Sequence, residues 1–162
     1  MAFGTIFAYE KHGRSCNREG GVPMAKLLVI DDEEGIRDLL DTLLSRKGYS
    51  VVLADGGRKG LDLYRREHPD VVVLDLKMPE MDGMAVLQQI RNLDPGQPVI
   101  ILTGARLPGA EEQLRALGVT EYVEKEFSLH RLGDALKRVL AAPHSATLAN
   151  ASTSTIPSSP RL

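Results

Sequence analysis

Four short runs of β-branched and leucine residues, each followed by a segment of helical period, constrain this chain more than any other feature. They are Leu27-Leu28-Val29-Ile30, Val51-Val52-Leu53, Val71-Val72-Val73-Leu74 and Val99-Ile100-Ile101-Leu102. A strand with one wet face alternates apolar and polar residues, whereas an uninterrupted apolar run reads as a strand covered on both faces. Glu121-Tyr122-Val123-Glu124 makes a fifth strand. Between them, Ile36, Leu39, Leu40, Leu43 and Leu44 recur at helical spacing before Gly48, and Leu61, Leu63 and Tyr64 precede His68-Pro69, where proline stops the helix. Met84 to Ile90, Gly109 to Leu117 and Leu129 to Leu140 supply three more helices. Right-handed crossovers turn such an alternation into an α/β fold. It is an open doubly wound sheet of five parallel strands with five helices, and its crevice lies outside the carboxyl ends of the strands.

The pattern also marks the limits of the domain. Residues 1–23 are polar and glycine-bearing with no sustained period, and residues 143–162 are mostly Ser, Thr, Ala and Pro, too poor in bulky apolar residues to offset ordering. The folded domain is therefore expected over residues 24–142, with a flexible tail behind it. One reading takes Met24 as the true start and the preceding residues as untranslated leader; peptides from Glu10 to Pro23 in the native protein would refute it. With 162 residues, 43% hydrophobic and 26% charged, the chain suits one soluble domain.

Lys+Arg 20 against Asp+Glu 22 leaves a formal charge of −2, with no basic excess to neutralise a phosphate backbone, so no nucleic-acid partner is expected. No apolar run approaches the roughly 18 residues that span a bilayer, and no secretory leader is evident, which predicts no membrane partner. The single cysteine, Cys16, forms no internal disulfide and favours a cytoplasmic location. His12, His68, His130 and His144 have no second ligand at zinc spacing and read as surface residues.

The polar residues at the strand ends carry the chemistry. Asp31 and Asp32 close the first strand, Asp75 the third and Thr103 the fourth, while Lys125 follows the fifth. Singly each is ordinary: an acid pair caps loops, a threonine ends strands and a lysine is a solvated charge. The topology, however, converges all five on one crevice. Three neighbouring carboxylates repel one another unless a cation sits among them, and oxygen-only ligands favour a hard ion such as Mg²⁺, which accepts a phosphate as a further ligand. Asp75 can then act as nucleophile and form an aspartyl phosphate, with the Lys125 ammonium and the Thr103 hydroxyl on the phosphoryl oxygens.

At these residues the chain resembles the response-regulator receiver family over nearly the whole of residues 24–142. KLLVIDDEE (Lys26 to Glu34) is similar to the family's first strand and acid pair, and VVVLDLKMPEMDG (Val71 to Gly83) to its phosphoacceptor strand and loop. VIILTG (Val99 to Gly104) and YVEKEF (Tyr122 to Phe127) resemble its threonine and lysine strands. The resemblance implies a flavodoxin-like strand order 2-1-3-4-5. It implies phosphorylation of Asp75 by a histidine kinase or histidine phosphotransfer protein, and Mg²⁺ held by Asp31, Asp32, Asp75 and the backbone carbonyl of Lys77. It also implies a switch couple, Thr103 and Tyr122, that remodels the surface of the fourth helix, fifth strand and fifth helix. The chain would then be a switch of the chemotaxis or phosphorelay type and not an enzyme. It would signal by contact with a downstream protein that the sequence does not identify, with dimerisation on activation left open.

Two positions depart from the family or vary within it. The family usually has Lys-Pro after the fifth strand, often cis, where this chain has Lys125-Glu126; a non-proline cis bond costs about 2.5–4 kcal/mol, so the bond is either trans or an uncommon conformer. Lys77 occupies a variable position whose side chain tunes the lifetime of the phosphoryl group. Gly56, Gly57 and Gly60 do not have dinucleotide-loop spacing and read as a turn after the second strand, and no G-x-x-x-x-G-K-[ST] is present. Two other functions compete. A Mg²⁺-dependent phosphatase of the haloacid-dehalogenase type wants Asp-x-Asp, but Lys77 stands where its second acid would be. A receiver-like binding module that takes no phosphate would leave these residues idle.

Overall fold

The computed structural model describes residues 25–104, 109–125 and 129–142, without the side chains of residues 110, 111 and 129. The expectations for residues 1–23, for residues 143–162 and for the Lys125-Glu126 bond lie outside the described residues. In chain order the elements are β1 (Lys26–Ile30), α1 (Glu34–Arg46), β2 (Ser50–Ala54), α2 (Gly57–Glu67), β3 (Val71–Leu74), α3 (Gly83–Leu93), β4 (Val99–Thr103), α4 (Ala110–Ala116), β5 (Glu121–Glu124) and α5 (Leu129–Ala141). The five strands form one parallel sheet in the order β2-β1-β3-β4-β5.

The uninterrupted apolar runs follow from two buried faces. Successive side chains of a strand point to opposite sides. Leu27, Val29, Val71, Val73, Ile100 and Leu102 accordingly pack with Leu40 and Leu44 of α1 and with Leu132, Ala135, Leu136 and Val139 of α5. Their alternates Leu28, Ile30, Val72, Leu74 and Ile101 pack with Leu61 and Tyr64 of α2, Val86, Leu87 and Ile90 of α3, and Leu114 of α4. A one-residue slip in any central strand would exchange the two layers, so both cores fix the register.

Helix ends agree with local chemistry. Gly48 at φ 88 closes the turn after α1, and α2 stops at Glu67, before His68 and Pro69. Asp82 caps α3 by accepting from the Ala85 N–H at 2.8 Å. The glycines after the second strand correct the sequence reading. Only Gly56 precedes the helix; Gly57 opens α2 and Gly60 lies inside it. Packing is the reason, because a Cβ on Gly60 would stand 2.5 Å from Ile30 Cδ1 and one on Gly57 would stand 2.7 Å from Val86 Cγ2. Alanine at position 60 would force a displacement of about 1–3 kcal/mol. Among the described residues no helix is long and apolar enough to cross a membrane.

Candidate functional site

The sheet register delivers the site. Ile30 pairs with Leu74, Leu74 with Ile101, and Thr103 with Glu124, so Asp31, Asp75 and Lys125, each the next residue of its strand, emerge at the same edge as Thr103, the last residue of β4. Backbone bonds extend the ladder one step beyond the strands: Asp31 N–H donates to the Ala54 carbonyl at 3.1 Å, Asp75 N–H to Ile30 at 2.9 Å and Lys125 N–H to Thr103 at 2.9 Å. The candidate site residues Asp31, Asp75 and Lys125 are thus held by main chain.

Asp31, Asp32 and Asp75 come together, each offering a carboxylate oxygen within 4.8 Å of the others. Asp31 and Asp75 are buried, whereas Asp32 reaches solvent. The Lys125 ammonium lies 2.6 Å from Glu33 Oε1, 3.0 Å from Asp31 Oδ2 and 3.1 Å from Asp75 Oδ2. One ammonium among four acids leaves the pocket short of positive charge. Burial pushes the Asp31 carboxyl up, only partly opposed by the Glu33 N–H at 2.9 Å and by Lys125, and Asp75 adds to the rise. Burial pulls Lys125 down, but hydrogen bonds to Glu33, Asp31 and Asp75 outweigh it and hold the ammonium well above its usual range.

Two buried oxygens lack a hydrogen-bond partner among the described residues, Asp31 Oδ2 and Thr103 Oγ1. Asp31 Oδ2 is near the ammonium but off its hydrogen-bonding direction, its ion-pair distance notwithstanding. An unpaired buried oxygen costs about 1–3 kcal/mol, so an Asp31 oxygen held by the ion pair alone, together with the Thr103 hydroxyl, marks a place suited to a further ligand. A cation suits the first and an anionic oxygen suits the hydroxyl. The donor set, all oxygen and predominantly carboxylate, fits Mg²⁺.

The loop after β3 frames the crevice. Lys77 N–H donates to Asp75 Oδ1 at 3.2 Å while its side chain is exposed. Glu80 adopts a positive φ of 66°, a conformation costing a non-glycine residue about 1–3 kcal/mol. Gly83 donates to the Leu76 carbonyl at 2.9 Å, and a Cβ there would stand 2.1 Å from the Asp75 carbonyl oxygen. The Met-Asp-Gly of the sequence is therefore a cap followed by a residue that cannot carry a side chain. Tyr122, half-buried, pairs in register with Ile101 and borders a surface cavity of about 290 Å³ that it shares with Leu114, Arg115 and Val119.

Two residues of the site had been given no role from sequence. Glu33 immediately precedes α1 yet makes no side-chain cap, its carboxylate reaching Lys125 instead. Arg37 of α1 donates to the Asp31 carbonyl at 2.8 Å. A signal for Glu33 was present, since a glutamate stands where Ser, Thr, Asp or Asn would cap. Arg37 had none, because a contact to backbone leaves no trace in residue type.

This sheet and its acid edge are those of a phosphoacceptor signalling domain. Residues 27–137 match the response regulator receiver domain family, and the chain belongs to that family. Among relatives, the probable transcriptional regulator ycf27 of Guillardia theta is 41% identical over 130 residues, 77% of this chain and 49% of that protein. The chain thus spans about half the length of that relative. Sporulation initiation phosphotransferase F of Bacillus subtilis is 35% identical over 115 residues, 71% of this chain and 93% of that one. Of solved structures, response regulator protein TrrA of Thermotoga maritima, in complex with Mg²⁺ and BeF, superposes with a TM-score of 0.66 at 32% identity, covering 72% of this chain and 99% of that one.

Proposed function

We propose that this protein is a phosphoacceptor switch of a two-component phosphorelay, in which Asp75 takes a phosphoryl group from a phosphohistidine of a kinase or phosphotransfer protein. The observation that carries the reading is the buried acid pair, Asp31 and Asp75, sharing one ammonium while the buried Thr103 Oγ1 has no hydrogen-bond partner among the described residues. In the transfer an Asp75 carboxylate oxygen forms a bond to phosphorus as the phosphorus–nitrogen bond breaks. The electron pair of that bond stays on the imidazole, which takes up a proton, and an acyl phosphate results. Lys125 and Thr103 donate to the phosphoryl oxygens.

Asp31, Asp32, Asp75 and the Lys77 carbonyl would hold Mg²⁺, which when bound neutralises charge on the transferring oxygens. Thr103 and Tyr122 form the switch couple that carries the change to α4, β5 and α5. The signal then passes by protein contact, without nucleic acid or membrane, in the cytoplasm. The complex of the Thermotoga maritima relative with Mg²⁺ and BeF supports this reading of the pocket.

The test is the amide NMR spectrum with Mg²⁺ before and after beryllofluoride, on the wild type and on Asp75→Asn. Shifts around Asp75, Thr103 and Tyr122 in the wild type alone are expected. An unchanged wild-type spectrum would instead make the chain a receiver-like binding module.

A further inference from the structure

Glu33 stands apart from the other acids around Lys125. Its contact is the shortest, 2.6 Å, yet its side chain is 60% exposed, against 2% for Asp75 and 1% for Asp31. The two buried carboxylates are also pinned by backbone, Asp31 Oδ1 by the Glu33 N–H and Asp75 Oδ1 by the Lys77 N–H. As the residue preceding α1, Glu33 would ordinarily cap that helix, but it makes no cap and spends its carboxylate across the crevice.

An ammonium has three protons, and in this structure three carboxylates surround it. Its donors are therefore fully engaged at rest. For Lys125 to donate to a new oxygen on Asp75, one of those contacts has to open. Asp31 and Asp75 are walled in and held, while Glu33 is largely exposed among the described residues and has a flexible stem. The contact that opens at least cost is the exposed one.

We infer that Glu33 is a detachable counter-ion for Lys125, a positioning residue that draws the ammonium toward the mouth of the crevice at rest and releases it when an oxyanion arrives on Asp75. The inference rests on the phosphoacceptor reading of Asp75 and adds a control to it. Glu33 sets the rate at which the lysine becomes available and competes with the phosphoryl group for it. It also links α1 directly to the chemistry, since its carbonyl accepts the first helical bond from the Arg37 N–H at 3.1 Å.

The experiment uses the full chain as wild type, Glu33→Gln and Glu33→Asp, with two readouts. The first is the ¹⁵N resonance of Lys125 Nζ with Mg²⁺, before and after beryllofluoride. The second is the rate of phosphorylation at saturating acetyl phosphate, with its apparent KM. For Glu33→Gln we expect the resting Nζ resonance to lie already displaced toward its beryllofluoride position, and the saturated rate to rise about two- to fivefold, the range of an exposed ion pair. Glu33→Asp, which keeps the charge on a shorter stem, should fall between the two proteins.

A slower Glu33→Gln, or an Nζ resonance unmoved by the substitution, overturns the inference. So does an effect confined to KM and abolished by salt, which would show only repulsion of an anionic donor. A wild type that takes up no beryllofluoride sinks the phosphoacceptor reading and this inference together. A wild type that responds, beside a Glu33→Gln with wild-type Nζ, sinks this inference alone.

Discussion

The two ends of the sheet treat their polar groups in opposite ways. At the amino ends of the strands every donor of note is spent. The Gln97 amide donates to the carbonyls of Pro69 at 3.2 Å and of Asp70 and Pro98 at 3.3 Å, and its oxygen accepts from Tyr64 at 3.3 Å. The Arg91 guanidinium reaches from α3 to the carbonyls of Leu117 at 2.6 Å, Gln97 at 2.7 Å and Gly118 at 2.8 Å, closing the end of α4. At the carboxyl ends, acids outnumber the ammonium and, among the described residues, two buried oxygens lack a hydrogen bond, Asp31 Oδ2 having only its ion pair. The first end is arranged for stability, whereas the second gives up stability for a ligand, the pattern expected where local rules are broken at a functional site.

Substitutions should separate the two ends. Asp75→Asn is expected to abolish phosphoryl uptake from acetyl phosphate, read on a phosphate-affinity gel, without lowering the urea midpoint in the absence of Mg²⁺, because it removes one charge from an over-acidic pocket. Arg91→Ala should do the reverse. Losing three charge-assisted bonds and stranding three carbonyls should cost about 2–4 kcal/mol in urea unfolding, while Asp75 still takes up phosphoryl. A loss of uptake with intact folding would show that the two ends are not separable.

Tyr64 gives the amino end a pH signature. Burial, with help from Asp94, pushes its hydroxyl up to about 12. A folded-state value raised above the ordinary 10 means that its contribution is fully present below pH 10 and is lost as pH rises from there toward 12. Urea titrations from pH 8 to 11.5 should therefore show a decline of up to about 2 kcal/mol in the wild type that Tyr64→Phe lacks. Parallel decline in both proteins would assign the alkaline sensitivity elsewhere. The smallest expected effect is at Lys77, whose side chain is exposed beside the crevice. Lys77→Ala should change autodephosphorylation a few-fold and phosphorylation less. Equal changes in both rates would remove Lys77 from water access.

How legible these ends were in the sequence differs for the same reason. The acids, Thr103 and Lys125 are at strand ends, and a strand end can be located from a run such as Val71 to Leu74 that stops at Asp75. Parallel register then brings them together without any knowledge of side-chain contacts. The amino end was invisible, since Arg91 within a helical pattern reads as a solvated charge and Gln97 as loop. Both act on backbone carbonyls far away in sequence, which carry no residue-type signal. Gly60 failed for a related reason: its need for a missing side chain comes from Ile30, thirty positions earlier, not from a turn. Glu33 was half legible, a poor cap in a capping position, with a partner that only the fold supplies.

The near contact of Gly83 with the Asp75 carbonyl gives the proposed phosphoacceptor a stiff backing. With no room for even a methyl group between them, α3 and the end of β3 behave as one block, and a push on Asp75 meets an unyielding wall on that side. On the phosphoacceptor reading, work done at the carboxylate would pass the other way, toward Thr103 and Lys125, as force on an anvil passes into the piece and not into the block.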